Sequence, residues 1–187
     1  MRRWRRRADT PVRPLGLEQG HHAGIEFAWR VHAAQETWTA KVDGKAAIVL
    51  SLETAVLAAL FAVQSPNLLL GRLIGWRSIM SDTGVAFHIA AVVFAAAAVI
   101  PMLGPRGRHK AEHGNNAIYF GHLRYWSDTR LAPWLEQLRP EEELKQLSRQ
   151  LVELSRRNWR KHRHLQLSML SALIGSALIG IAVLVPH

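Results

Sequence analysis

The sequence contains no cysteine. A disulfide framework, a thiolate zinc or iron–sulfur site and a cysteine nucleophile are therefore excluded together. Acidic residues are scarce as well, 14 Asp and Glu against 24 Lys and Arg, for a formal charge of +10. No Ser-His-Asp order, paired acids or phosphate-binding glycine loop stands out, so the chain does not read as an enzyme and implies no cofactor. Its 187 residues allow one or two small domains and no large multidomain enzyme.

What is present is apolar sequence in blocks. Residues 46–63 are broken only by Ser51, Glu53 and Thr54; residues 84–103 hold His88 as their one strongly polar member; residues 165–185 carry no charge at all. A hydrocarbon core of about 30 Å takes roughly 20 helical residues, and each block meets that length. Soluble helices this long rarely lack a polar face, which argues against three buried helices of a soluble bundle. The expected fold is an all-α membrane protein, with three transmembrane helices and long cytoplasmic helical stalks.

Charge sets the orientation. Twenty-two of the 24 basic residues lie in 1–45 and 104–164, and only Arg72 and Arg77 fall in the connection 64–83. The positive-inside rule then puts both basic segments in the cytoplasm and leaves only Pro186 and His187 outside after the last span. The path is a basic flexible tail (1–24), a cytoplasmic helix (25–45), a span (46–63), an outer interfacial loop anchored by Trp76 (64–83), a span (84–103), a cytoplasmic helical region (104–164) and a final span (165–185). Arg2, Arg3, Arg5, Arg6 and Arg7 precede Ala8-Asp9-Thr10-Pro11 rather than the apolar run of an export signal, and read as a tail held near anionic lipid. Topology thus accounts for the positive charge without a nucleic-acid partner.

Helical patterns run beyond the spans. Phe27, Val31, Ala34, Trp38 and Val42 form an expected stripe ahead of residue 46. Leu144, Leu147, Leu151, Leu154 and Asn158 form a heptad seam leading into residue 165, with Pro140 and Glu141, Glu142 and Glu143 as its start signal. Such seams want partners, in the same chain or in other copies. Ser168, Ala172, Ser176 and Gly180, with Ser171 and Gly175 beside them, offer a small-residue face for close helix approach in lipid, and so an expected homo-oligomer contact.

Two intramembrane residues are polar out of proportion to their setting. Glu53 costs several kcal/mol near mid-bilayer unless neutral, paired or wet. It either lines a pore or, protonated, pairs with His88 or Ser51. His109 and His113, four apart beside Gly107 and Gly114, lack completing ligands and are not read as a metal site.

Lys41-Val42-Asp43-Gly44-Lys45-Ala46 before the first span, Asn115-Asn116-Ala117-Ile118-Tyr119-Phe120-Gly121-His122 after the second and Leu144 to Arg163 before the third together resemble the Pycsar transmembrane effector family, in order and spacing, over about residues 26–185. The Tyr119-Phe120-Gly121-His122 run is the strongest piece. The resemblance implies a bacterial inner-membrane anti-phage effector. In that family's scheme a neighbouring pyrimidine cyclase makes cyclic CMP or cyclic UMP, which activates the membrane protein, impairs membrane integrity and aborts the infection. It maps no pocket.

From the residues themselves, a cyclic nucleotide needs cations or backbone N–H groups for its phosphate, an aromatic face and amides for its base edge. Arg106, Arg108, Asn115, Asn116, Tyr119, His122, Arg124 and Tyr125 supply these ingredients, with Phe120 and Gly121 expected to pack the region instead. The other reading is a constitutive membrane anchor or scaffold that recruits a protein through its stalk.

Overall fold

The computed structural model describes residues 15–101, 103 and 106–185; the side chains of 15–19, 106 and 108 lie outside that description. The expected tail up to residue 14 and the expected outer end at Pro186 and His187 also fall outside it. Every regular element among the described residues is helical. In chain order these are α1 (Leu15–Val63), α2 (Trp76–Val99), α3 (Arg106–Glu112), a 3-10 turn (His113–Asn115), α4 (Phe120–Leu123), α5 (Asp128–Glu136) and α6 (Pro140–Leu184). Three of the helices, α1, α2 and α6, are long and apolar enough to cross a membrane.

Two boundaries differ from the expected ones. Helix α1 takes in residues 15–24, which composition had assigned to the flexible tail. A glycine inside a helix costs only about 1 kcal/mol relative to Ala, so Gly16, Gly20 and Gly24 do not stop a run free of proline. Helix α2 begins at Trp76, so the connection after α1 is only residues 64–75 and the segment 76–83 is helix rather than loop. The connection closes through Leu70 N–H to Val63 O at 3.1 Å and ends at Gly75, whose φ of 64° suits glycine alone. Helix α6 starts at Pro140, where the proline and glutamates marked it: Arg139 O accepts the first helical N–H bonds, from Glu142 and Glu143.

The chain forms two compact units. Unit 1 holds the chain up to His32 together with Pro105–Leu151. Its core is Ile25, Ala28 and Leu147, with Ile118, Leu144 and Leu151 packed around them. Gly24 faces Leu144, whose methyls lie 3.7 Å from the position a Cβ would occupy, an ordinary contact distance.

Unit 2 holds Ala33–Gly104 and the chain from Val152 on. Its three helical segments bury mostly small and polar residues, with Val42, Val85 and Leu165 among them, and leave most large apolar ones outside. Helix α2 buries Ser81, Gly84, Val85, His88, Ala91, Ala95 and Ala98, whereas Ile79, Val93 and, on α6, Leu173 are more than half exposed. In water such an apolar exterior would be a large aggregation-prone surface; lipid solvates it. Close approach then carries the packing: a Cβ at Gly175 would sit 2.7 Å from Gly84 O, and one at Gly84 would sit 2.6 Å from Ile179 Cγ1.

Of the stripe expected on α1, Val42 is buried and Val31 and Ala34 are half-buried, and only Phe27 and Trp38 lie off the inner face. Phe27 and Trp38 are exposed, while Ile25, Ala28, His32, Gln35, Val42, Ala46 and Glu53 are buried. The true seam keeps heptad spacing but passes through polar residues, because polar partners await it. In unit 2 Asn158 Nδ2 donates to Gln35 O at 3.1 Å, the Thr39 hydroxyl meets Asn158 Oδ1, and Lys161 Nζ donates to Asp43 Oδ2 at 2.8 Å.

Candidate functional site

In unit 1 the Tyr-Phe-Gly-His run turns through α4. Tyr119 and His122 are buried, and the Tyr119 ring lies 5.4 Å from the His109 ring and 5.6 Å from that of His122, centroid to centroid. His109 Nδ1 and His122 Nε2 are 3.3 Å apart. Gly121 is required here, since a Cβ on it would meet Tyr119 Cε1 at 2.3 Å. These side chains form an interior. Phe120, expected to pack, is instead 63% exposed.

The remaining expected ligand residues are spread over the surface of the same unit. Arg124 is exposed, its guanidinium carbon 4.8 Å from the Tyr125 ring centroid, a cation–π contact. Tyr125 also faces His113, at 6.0 Å between ring centroids. Asn116 Oδ1 accepts the Ile118 N–H at 3.3 Å, and the next backbone N–H, of Ala117, donates to Gln146 Oε1 at 3.1 Å. The first bond shapes the 115–119 loop and the second pins it to α6. The side chains of Arg106 and Arg108 lie outside the described residues.

Of the expected set, Asn115 lines a cleft. The cleft holds about 260 Å³ and is walled by Asn115, Trp134, Glu142, Lys145, Gln146 and Arg149. Sequence reasoning missed the last five. Lys145 and Arg149 are four apart on α6, so both cations point from one face, away from the Leu144, Leu147 and Leu151 seam. Trp134 stands on α5, its ring 5.1 Å from Trp126, whose indole N–H is fixed by His113 O at 2.8 Å. At the α6 start, Glu142 Oε1 accepts from Arg139 Nη2 at 2.7 Å and Oε2 from the Arg139 backbone N–H at 3.4 Å. These bonds, the guanidinium's first, hold the Glu142 carboxyl below its ordinary range and the Arg139 guanidinium above its own. The spacing of Lys145 and Arg149 is the one signal that could have pointed here. The aromatic wall comes from a separate element, so no linear motif joins it to the cations.

Unit 2 contains the second concentration of chemistry. His88 Nδ1 lies 2.7 Å from Glu53 Oε2, and its Nε2 lies 3.3 Å from Ser176 Oγ, so one ring bridges α1 and α6 from α2. Glu53 and His88 are both buried, at 9% and 2% exposure. Of the expected small-residue face, Ser168 and the neighbouring Ser171 and Gly175 are buried inside the chain, while Ser176 is exposed. Ser168 Oγ donates to Ala91 O at 2.7 Å, Gly175 packs on His88 and Gly84, and Ala172 is half-buried; nothing lies within 4 Å of where a Cβ on Gly180 would stand. Arg77 Nε donates to Ala182 O at 2.7 Å and its Nη2 to Val183 O at 3.2 Å, closing the end of α6. No group of three or more metal-ligating side chains occurs among the described residues.

No curated protein and no solved structure matches the chain. An all-helical chain with three membrane-length helices, and a Tyr-Phe-Gly-His turn whose glycine is dictated by the tyrosine ring, carries instead the pattern of the Pycsar effector protein domain, whose family model matches residues 27–186: the chain belongs to that family.

Proposed function

We propose that this protein is a non-enzymatic Pycsar anti-phage effector of the bacterial inner membrane, with its N-terminus and residues 104–164 in the cytoplasm. A cyclic pyrimidine nucleotide, cyclic CMP or cyclic UMP from a partner cyclase, binds unit 1, the membrane loses integrity and the infection is aborted. The observation that carries the ligand part is the cleft of about 260 Å³, close to the low end of the roughly 300–1,000 Å³ usual for small-molecule sites. Lys145 and Arg149 answer a single cyclic phosphate, Trp134 offers a face to the base, and the Asn115 and Gln146 amides and the Glu142 carboxylate suit its edge and the ribose hydroxyl. The family membership and the lipid-adapted exterior of unit 2 support the membrane part.

Activation requires the ligand to favour one of two arrangements of the protein. Copies assemble in the bilayer, and the open position beside Gly180 is available to them.

The test is release of a trapped dye from vesicles carrying the purified protein, with cyclic CMP, cyclic UMP or cyclic AMP added. Release with a pyrimidine nucleotide alone is expected. Arg149→Ala, which removes one charge-assisted bond, is expected to raise the required concentration about tenfold or more, since such bonds are worth ~1.5–3 kcal/mol. Equal response to all three nucleotides, or to none, overturns the ligand assignment.

A further inference from the structure

Lipid rewards neither a carboxyl nor an imidazole, so two ionisable groups buried together among apolar helices call for a reason beyond packing. The surroundings of His88 are built for it. Gly175 leaves the ring its room, a Cβ there meeting His88 Cδ2 at 2.9 Å, and both ring nitrogens face a proton-carrying group on a different helix. An imidazole engaged at both can take a proton at one and release a proton from the other.

The same seam continues in both directions along α2. Seven residues before His88 stands Ser81, 2% exposed, whose Oγ has no hydrogen-bond partner among the described residues. A buried hydroxyl in that state is open to a water molecule. In the other direction the interior turns dry: Val42, Ala46, Ala98 and Leu165 pack into one apolar cluster. An apolar constriction in an otherwise polar path blocks conduction by excluding water.

The geometry points to a proton path through unit 2, with the buried Glu53–His88 pair and the exposed Ser176 beside it as the relay and the Val42–Ala46–Ala98–Leu165 cluster as a closed dry gate. A proton on the Glu53 carboxyl passes to His88 Nδ1 as the proton on Nε2 passes to Ser176 Oγ. The serine hydrogen then moves to a water molecule, a second water-borne proton restores the Glu53 carboxyl, and a half-turn of the ring brings its protonated nitrogen back to face Ser176. Charge crosses, and nothing is oxidised or reduced. This inference rests on the membrane part of the reading above and not on the nucleotide.

The full chain in phosphatidylcholine vesicles tests it, with a pH-sensitive dye and a larger inert dye trapped inside and a valinomycin-clamped potassium gradient. Leu165→Asn wets the gate without any ligand, and should acidify the interior at least tenfold faster than empty vesicles while the larger dye stays in. Adding Glu53→Gln or His88→Gln to that variant should return the rate to within twofold of empty vesicles. Should either double variant lose helicity, Leu165→Asn with Ser176→Ala serves, and a fall of about tenfold is expected. Proton entry that persists without these groups, escape of both dyes together, or no proton entry in a folded Leu165→Asn protein would overturn the relay. If Leu165→Asn behaves as expected while wild type ignores cyclic CMP and cyclic UMP, the relay stands and the ligand reading falls.

Discussion

The two units pack on the same spacing with opposite materials. In unit 1, α6 turns Leu144, Leu147 and Leu151 inward, and Leu147 is fully buried against Ile25 and Ala28. In unit 2 the same helix keeps the three-and-four rhythm but offers Asn158, Lys161, Ser168 and Gly175, with Leu165 the one large apolar residue in the row. Water rewards the burial of a leucine, so bulk goes inside unit 1. Lipid gives no such reward, and the inward positions of unit 2 go to residues that permit close backbones or form hydrogen bonds, while the bulk turns outward. A heptad therefore states where a helix is contacted and leaves open what does the holding.

Substitutions that exchange these materials test the contrast. The largest loss is expected for Leu147→Ala, about 2–5 kcal/mol for an emptied leucine site, read as a lowered unfolding midpoint of the helical signal in detergent. A loss below 0.5 kcal/mol would mean that unit 1 is not held by this seam. Gly175→Val reverses the error by adding bulk where space is already taken, 2.7 Å from Gly84 O. It should cost about 1–3 kcal/mol, and the smaller Gly175→Ala less, on the same measurement. Asn158→Ala strips the polar layer of its amide and leaves Gln35 O without that donor; a cost of ~1 kcal/mol is expected.

The smallest effect belongs to the exposed start of α6. The Arg139 guanidinium and backbone N–H hold the Glu142 carboxyl below its ordinary range in the folded chain. The contribution of Glu142 is therefore complete above the ordinary carboxylate range and fades as pH falls through the lowered value. Titrating helicity with acid should show a slight decline that Glu142→Gln abolishes and that added salt weakens.

The membrane-length helices were legible because the length demanded by a bilayer leaves its mark on composition alone. The α6 start was legible too, since Pro140 and three successive glutamates each answer a known need of a helix N-terminus. The inner face of α1 was not. Ranking by hydrophobicity selects Phe27 and Trp38, yet both point outward, and Gln35 is buried because Asn158, over a hundred residues on, supplies its partner. The cleft escaped for a similar reason. Trp134 and Arg149 stand on separate helices, and only the fold brings them around Asn115. Glu53 and His88 were conspicuous by chemistry, and the fold adds what spacing cannot, the contact of one imidazole with two helices.

Arg77 spends its guanidinium on the carbonyls of Ala182 and Val183, so the last turn of α6 depends on the first turn of α2. Trimming the chain back past Ala182 would remove these two acceptors of a cation that sits beside the hydrocarbon. A short deletion there should therefore damage insertion out of proportion to the apolar surface it removes, and fusions are better carried at the opposite terminus.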